Sequence, residues 1–95
     1  MPAYFIANVE VTDPAGFAEY GKVVPETIQH YGGRYLVRGG AAETLEGDWQ
    51  PNRVVVLEFP SLEQARRWYN SEDYRGPKTL RFKTATTSLI LVEGV

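Results

Sequence analysis

Cysteine is absent from the chain, and histidine occurs once, at position 30. Disulfides and thiolate metal sites are thereby excluded, and one imidazole with scattered carboxylates is a poor start for a metal centre. No apolar run approaches the roughly 20 residues that cross a bilayer as a helix. The opening Met1-Pro2-Ala3-Tyr4 lacks the basic start, apolar core and small-residue cleavage site of a secretory signal. These absences predict a cytoplasmic protein with no cofactor and no membrane partner. Charge is weak as well. A net charge of −2 implies neither a nucleic-acid nor a membrane partner by itself. Seven basic residues face four acidic ones between Arg53 and Lys83, against three and seven over residues 1–52. That imbalance reads as a solvated helix face, with an anionic ligand as the alternative.

What is present describes one folded domain. Ninety-five residues leave no room for a second core, and 43% hydrophobic with 23% charged residues is ordinary for a globule. Tyr4 to Val11 is aromatic and β-branched and predicts a strand. Asp13-Pro14 predicts a helix start, N-cap followed by proline at the first helical position. Phe17, Tyr20, Val24, Ile28 and Tyr31 then recur every three or four residues, one helical face. Pro25 inside that stripe predicts a kink or break, and Gly32-Gly33 the helix end.

Tyr35 to Arg38 is a short second strand, closed by Gly39-Gly40. Residues 41–52 read as a loop or irregular hairpin, in which Trp49 needs somewhere to bury. Arg53 to Phe59 is the clearest strand. Pro60 ends it, and Ser61-Leu62-Glu63-Gln64 matches a capping box opening a second helix. Leu62, Ala65, Trp68 and Tyr69 lie on one side of that helix, Arg66 and Arg67 on the other. Ser71 to Tyr74 is a further helix start that Gly76-Pro77 should keep short or bent. Thr84 to Val92 is the last strand. The order is a ferredoxin-like βαββαβ plan with a four-stranded antiparallel sheet, an α+β fold.

Val54-Val55-Val56-Leu57 and Leu89-Ile90-Leu91-Val92 are continuously apolar, where a strand with one wet side would alternate. Both sides of the sheet therefore require burial, and two helices cover only one. The other would expose on the order of 500 Å² of apolar surface, the upper end for a monomer. A second copy packed sheet to sheet is the expected cover, with the 41–52 loop as the alternative roof.

Three stretches carry a resemblance over nearly the whole chain. They are Tyr31-Gly32-Gly33-Arg34-Tyr35-Leu36-Val37-Arg38-Gly39-Gly40; Arg53 to Ser61 with Ala65, Trp68-Tyr69 and Ser71; and Leu91-Val92-Glu93-Gly94. Together they resemble the uncharacterised family called domain of unknown function 1330. The resemblance implies the dimeric α/β-barrel group, in which two ferredoxin-like sheets pack face to face. That group includes cofactor-independent monooxygenases, muconolactone-type isomerases, haem-degrading enzymes and non-catalytic members, so the fold supplies only a menu of activities.

In such a fold a small organic ligand is expected between sheet and helices. Polar residues that interrupt apolar strands are the first candidates: Asn8, Arg38 and Glu58. Glu58 beside apolar groups could act as acid or base, and Arg38 could clamp a carboxylate or enolate. The two could equally form a structural ion pair. Parity groups Glu58 with Val54 and Val56, and Asn8 with Tyr4 and Ile6, without saying whether those sides coincide. His30 could carry a proton or ligate haem, yet two residues before Gly32 it also suits helix capping. Tyr20, Trp68, Tyr69 and Tyr74 could hold a planar substrate or simply pack the core. Gly39-Gly40 lacks the setting of a phosphate loop, and no GxSxG nucleophile motif occurs. RNA binding on this topology needs exposed aromatics on the central strands, where the third strand offers valines. The expected function is thus small-molecule binding by a homodimer, either as a cofactor-independent enzyme of monooxygenase or isomerase type or as a non-catalytic accessory protein. The candidate catalytic set is Glu58, Arg38 and His30, with Asn8, Tyr20 and Trp68 as ligand contacts.

Overall fold

Strict alternation in the first strand sorts the molecule into two layers. In a computed structural model describing all 95 residues, β1 (Ala3–Val11) buries Ala3, Phe5, Ala7 and Val9 at 9% exposure or less, while Tyr4, Ile6 and Asn8 point the other way. It is followed by α1 (Pro14–His30), β2 (Arg34–Arg38), β3 (Arg53–Phe59), α2 (Leu62–Tyr69), α3 (Glu72–Thr84) and β4 (Ala85–Glu93). The sheet is antiparallel in the order β2-β3-β1-β4. This is the ferredoxin-like βαββαβ arrangement, with the second crossover made by two helices.

The helices begin where short polar side chains can replace missing backbone partners. Asp13 accepts from the Gly16 amide at 3.2 Å, and the Ser61 hydroxyl from the Gln64 amide at 3.1 Å. Ser71 does the same for α3 through the Tyr74 amide at 3.1 Å. At the end of α1, Gly32 takes φ +79°. Gly33 is required for a different reason: a Cβ there would stand 2.5 Å from the Phe59 ring and 2.8 Å from Ile28.

Neither proline ends its helix, and the cause is the same in both. Pro25 does not break α1, which runs on to His30, and Gly76-Pro77 does not shorten α3, which extends thirteen residues and takes in Thr84. In each case buried side chains flank the proline, Val24 and Ile28 in α1 and Tyr74 and Arg81 in α3. Packing against the sheet outweighs the local penalty.

Cross-strand register assigns every strand residue to a layer. Phe59, Leu57, Val55 and Arg53 of β3 pair with the buried residues of β1, as do Leu91, Leu89 and Thr87 of β4, while Ala85 pairs with Val11 in the same parity, so all face the helices. There Phe5, Phe59 and Trp68 meet edge-on or tilted at 5.3–5.8 Å, and Trp68 stacks on Tyr74 at 4.0 Å. The other side carries Tyr4, Ile6, Asn8, Val54, Val56, Glu58, Ile90 and Val92 and receives no helix. Ile90 is 59% exposed. Nor does the 41–52 loop roof this side: Ala41 to Gln50 are all exposed, and Trp49, expected to bury, is open to solvent. Only the loop's end touches the sheet there, where the Asn52 amide donates to Asn8 Oδ1 at 2.8 Å.

Candidate functional site

Small residues at the middle of the sheet and of α1 open a gap in the helix-facing layer. Ala7 stands between Phe5 and Val9 on β1, and Gly21 of α1 lines the same gap. The result is a partly open cavity of about 70 Å³, room for several waters, with further space toward solvent. The buried core is divided around it. A nine-residue cluster includes Phe5, Val24, Leu57, Trp68 and Tyr74; a separate one holds Ala7, Val9 and Ala85; and both contribute walls.

The cavity walls are mainly aromatic and aliphatic, crossed by one polar chain. Arg81 Nε donates to the Tyr74 hydroxyl at 3.2 Å, which shares a hydrogen bond with the Tyr20 hydroxyl at 2.8 Å. Burial, followed by the neighbouring Tyr74, pushes the Tyr20 phenol far above the ordinary tyrosine range, so it stays neutral. Burial raises Tyr35 as well. Trp68 is fixed through its indole N–H, which donates to Thr27 Oγ1 at 3.0 Å; Thr27 in turn donates to the Val24 carbonyl.

Pro25 helps to place Arg38. Lacking an N–H, it leaves the Gly21 carbonyl without its helical partner. Arg38 Nη2 donates to that carbonyl at 3.0 Å, with its guanidinium over the Tyr35 ring at 4.4 Å. The proline that threatened the helix therefore supplies an acceptor at the cavity wall.

Of the residues singled out by sequence, Arg38, Tyr20 and Trp68 come together at this cavity, and Glu58, Asn8 and His30 do not. Glu58 and Arg38 form no pair, because the sheet puts them on opposite sides. Glu58 shares the helix-free side with Asn8 and accepts from Arg34 Nε at 2.8 Å. Asn8 bonds to Asn52. His30 is exposed and lies 3.3 Å from Asp73 of α3. Tyr74, named only as an aromatic, also lines it, and four polar lining residues were missed: Tyr35, Arg53, Arg81 and Thr87. Parity held the signal for Arg53, which alternates in step with Val55 and Leu57 rather than with Glu58. Arg81 follows Tyr74 by seven residues, two helical turns along the same face.

The Glu58 carboxyl is held below its ordinary 4.5, chiefly by the Arg34 hydrogen bond, with burial opposing and Tyr4 assisting. A lowered folded-state value contributes stability that is fully present above the ordinary value and is lost as pH falls through the lowered one. Arg34→Ala should move the Glu58 titration midpoint upward when followed by carboxyl-carbon NMR. An unmoved midpoint would show that the pair does not form in solution.

No three histidine, cysteine or acidic residues lie close enough to hold a metal ion, and no helix is long and apolar enough to cross a membrane. The family model for domain of unknown function 1330 (DUF1330) matches residues 2–95. The chain belongs to this family. A DUF1330 chain with this fold is similar to a protein of unknown function from Rhodopseudomonas palustris at 19% identity, TM-score 0.79, covering 99% of this chain and 82% of that one. It is also similar to SnoaB, a cofactor-independent oxygenase from Streptomyces nogalater, at 14% identity, TM-score 0.67, covering 99% and 93%. A proposed antibiotic biosynthesis monooxygenase from Caulobacter crescentus gives 15% identity and TM-score 0.61, covering 99% and 90%. At these identities the likeness is one of fold. A search of curated proteins finds none similar to this DUF1330 member.

Proposed function

We propose that this protein is a homodimer of the dimeric α/β-barrel type that binds a small planar organic molecule in the cavity between sheet and helices of each subunit. The observation that carries the ligand is the cavity itself, walled by Tyr20, Tyr35, Trp68 and Tyr74 with Arg38 among them. Aromatic walls with a few placed polar groups are the usual make-up of a small-molecule site.

The dimer rests on the apolar side without helices. The molecule measures 35 × 34 × 16 Å, so its broad side exceeds the roughly 800 Å² per partner that a stable interface needs. The chain offers no roof of its own, and a second sheet about 10 Å away would bury Ile6, Val56 and Ile90.

Two forms of this reading differ in chemistry. Cofactor-independent oxygenation or isomerisation is supported by the fold shared with SnoaB. Binding without turnover is favoured by the lining, which holds no carboxylate and no imidazole. Proton removal from carbon would fall to buried phenols, and Tyr20 gives no phenolate at neutral pH. The arrangement is suited to holding an anion rather than making one.

A titration of the ¹⁵N-labelled protein with phenol tests the site. Saturable shifts should include the Trp68 indole N–H, and Ala7→Leu, which fills the floor, should weaken binding at least tenfold. Binding that is absent, or indifferent to Ala7→Leu, would refute the cavity as the ligand site.

A further inference from the structure

Three guanidinium groups, those of Arg38, Arg53 and Arg81, line this one cavity, and none belongs to an ion pair. Arg81 is only 6% exposed; beyond its bond to Tyr74, its Nη2 has no partner within the protein. Arg53 Nε and Thr87 Oγ1 are likewise buried and unpartnered. These are all of the protein's unpartnered buried side-chain polar atoms, and all three residues line the same cavity. Register explains part of the convergence: Arg53 and Thr87 flank Val9 from β3 and β4, facing the helices, and α3 adds Arg81. Folded proteins leave few buried donors unmatched, and an unmatched buried charge is costly.

We infer that the ligand carries a carboxylate, seated against Arg53 Nε, Arg81 Nη2 and Thr87 Oγ1, with its planar body against Tyr20, Trp68 and Tyr74. This deepens the small-molecule reading and rests on it. A carboxylate accepts at about four lone-pair positions on two oxygens and donates nothing, which matches three open donors. A phosphate is tetrahedral and close to doubly charged, and it would need a more polar wall than this largely apolar lining provides. The ligand class is therefore a small aromatic monocarboxylate.

Benzoate and benzamide share a shape and differ in charge, so a paired NMR titration isolates the carboxylate. Benzoate should bind at least tenfold tighter than benzamide and shift the Thr87 and Val9 amides. Arg81→Met should remove that preference. Should Arg81→Met fail to fold, Arg53→Met must give the same result. Equal affinity of the two probes for the unaltered protein would overturn the carboxylate and leave the cavity reading standing. A benzoate preference that survives both substitutions would overturn its placement. Failure of both probes to bind would overturn the inference together with the cavity reading.

Discussion

Val56→Asp is expected to convert a dimer sedimenting near twice 10.7 kDa into a monomer at micromolar concentration. Val56 occupies an inner strand on the helix-free side, paired with Ile6 of β1 and Val37 of β2. In the proposed assembly an aspartate there would sit in an apolar interface with no cation beside it, and its symmetry mate would add a second like charge. Removing a carboxylate from water without a partner costs several kcal/mol, so a loss of about 4 kcal/mol, roughly a thousandfold in the dissociation constant, is the expected scale. Val23→Asp is the control. Val23 is exposed on α1, in the helical layer, and its substitution should leave the dimer intact. An unaltered protein that sediments as a monomer would refute the assembly outright.

Trp68→Ala should cost about 3–5 kcal/mol of folding free energy in urea unfolding. The side chain is 3% exposed and touches the rings of Phe5, Phe59 and Tyr74. Its removal also takes a donor from the Thr27 hydroxyl, which keeps its own bond to the Val24 carbonyl. Domains of this size are stable by about 5–15 kcal/mol, so the change would consume a large part of the total. Thr27→Val separates the two contributions: it removes the hydrogen-bond acceptor, keeps the ring, and should cost about 1–2 kcal/mol. Equal losses for both variants would mean that the indole N–H, rather than the ring, dominates.

How much of this was readable in advance depends on which level of structure carries the information. Helix starts at Asp13 and Ser61 are local hydrogen-bonding events and could be read from a few residues. The apolar runs in β3 and β4 declared a sheet with two greasy sides. That both helices run on through Pro25 and Pro77 is decided by what they pack against, which no local window contains. The Glu58–Arg38 pair was misjudged through geometry: strand parity is exact, but relating β2 to β3 needed the register, and the irregularity between Tyr35 and Val37 resets the count. Arg53 and Arg81 were overlooked because an arginine at a strand start or in a basic helix looks like any surface charge. Their parity with apolar neighbours was the available clue.

The divided core has a practical consequence. A guest lodged between the nine-residue cluster and the smaller one formed by Ala7, Val9 and Ala85 would bridge them, becoming part of the protein's interior. Occupancy would then be legible as heat resistance: a compound at a hundred times its dissociation constant adds about 2.7 kcal/mol to the folded state. For a chain of this length that is upward of about 10 °C. Screening a metabolite library by melting curve alone would let the natural occupant announce itself, before anyone knew which reaction, if any, to assay.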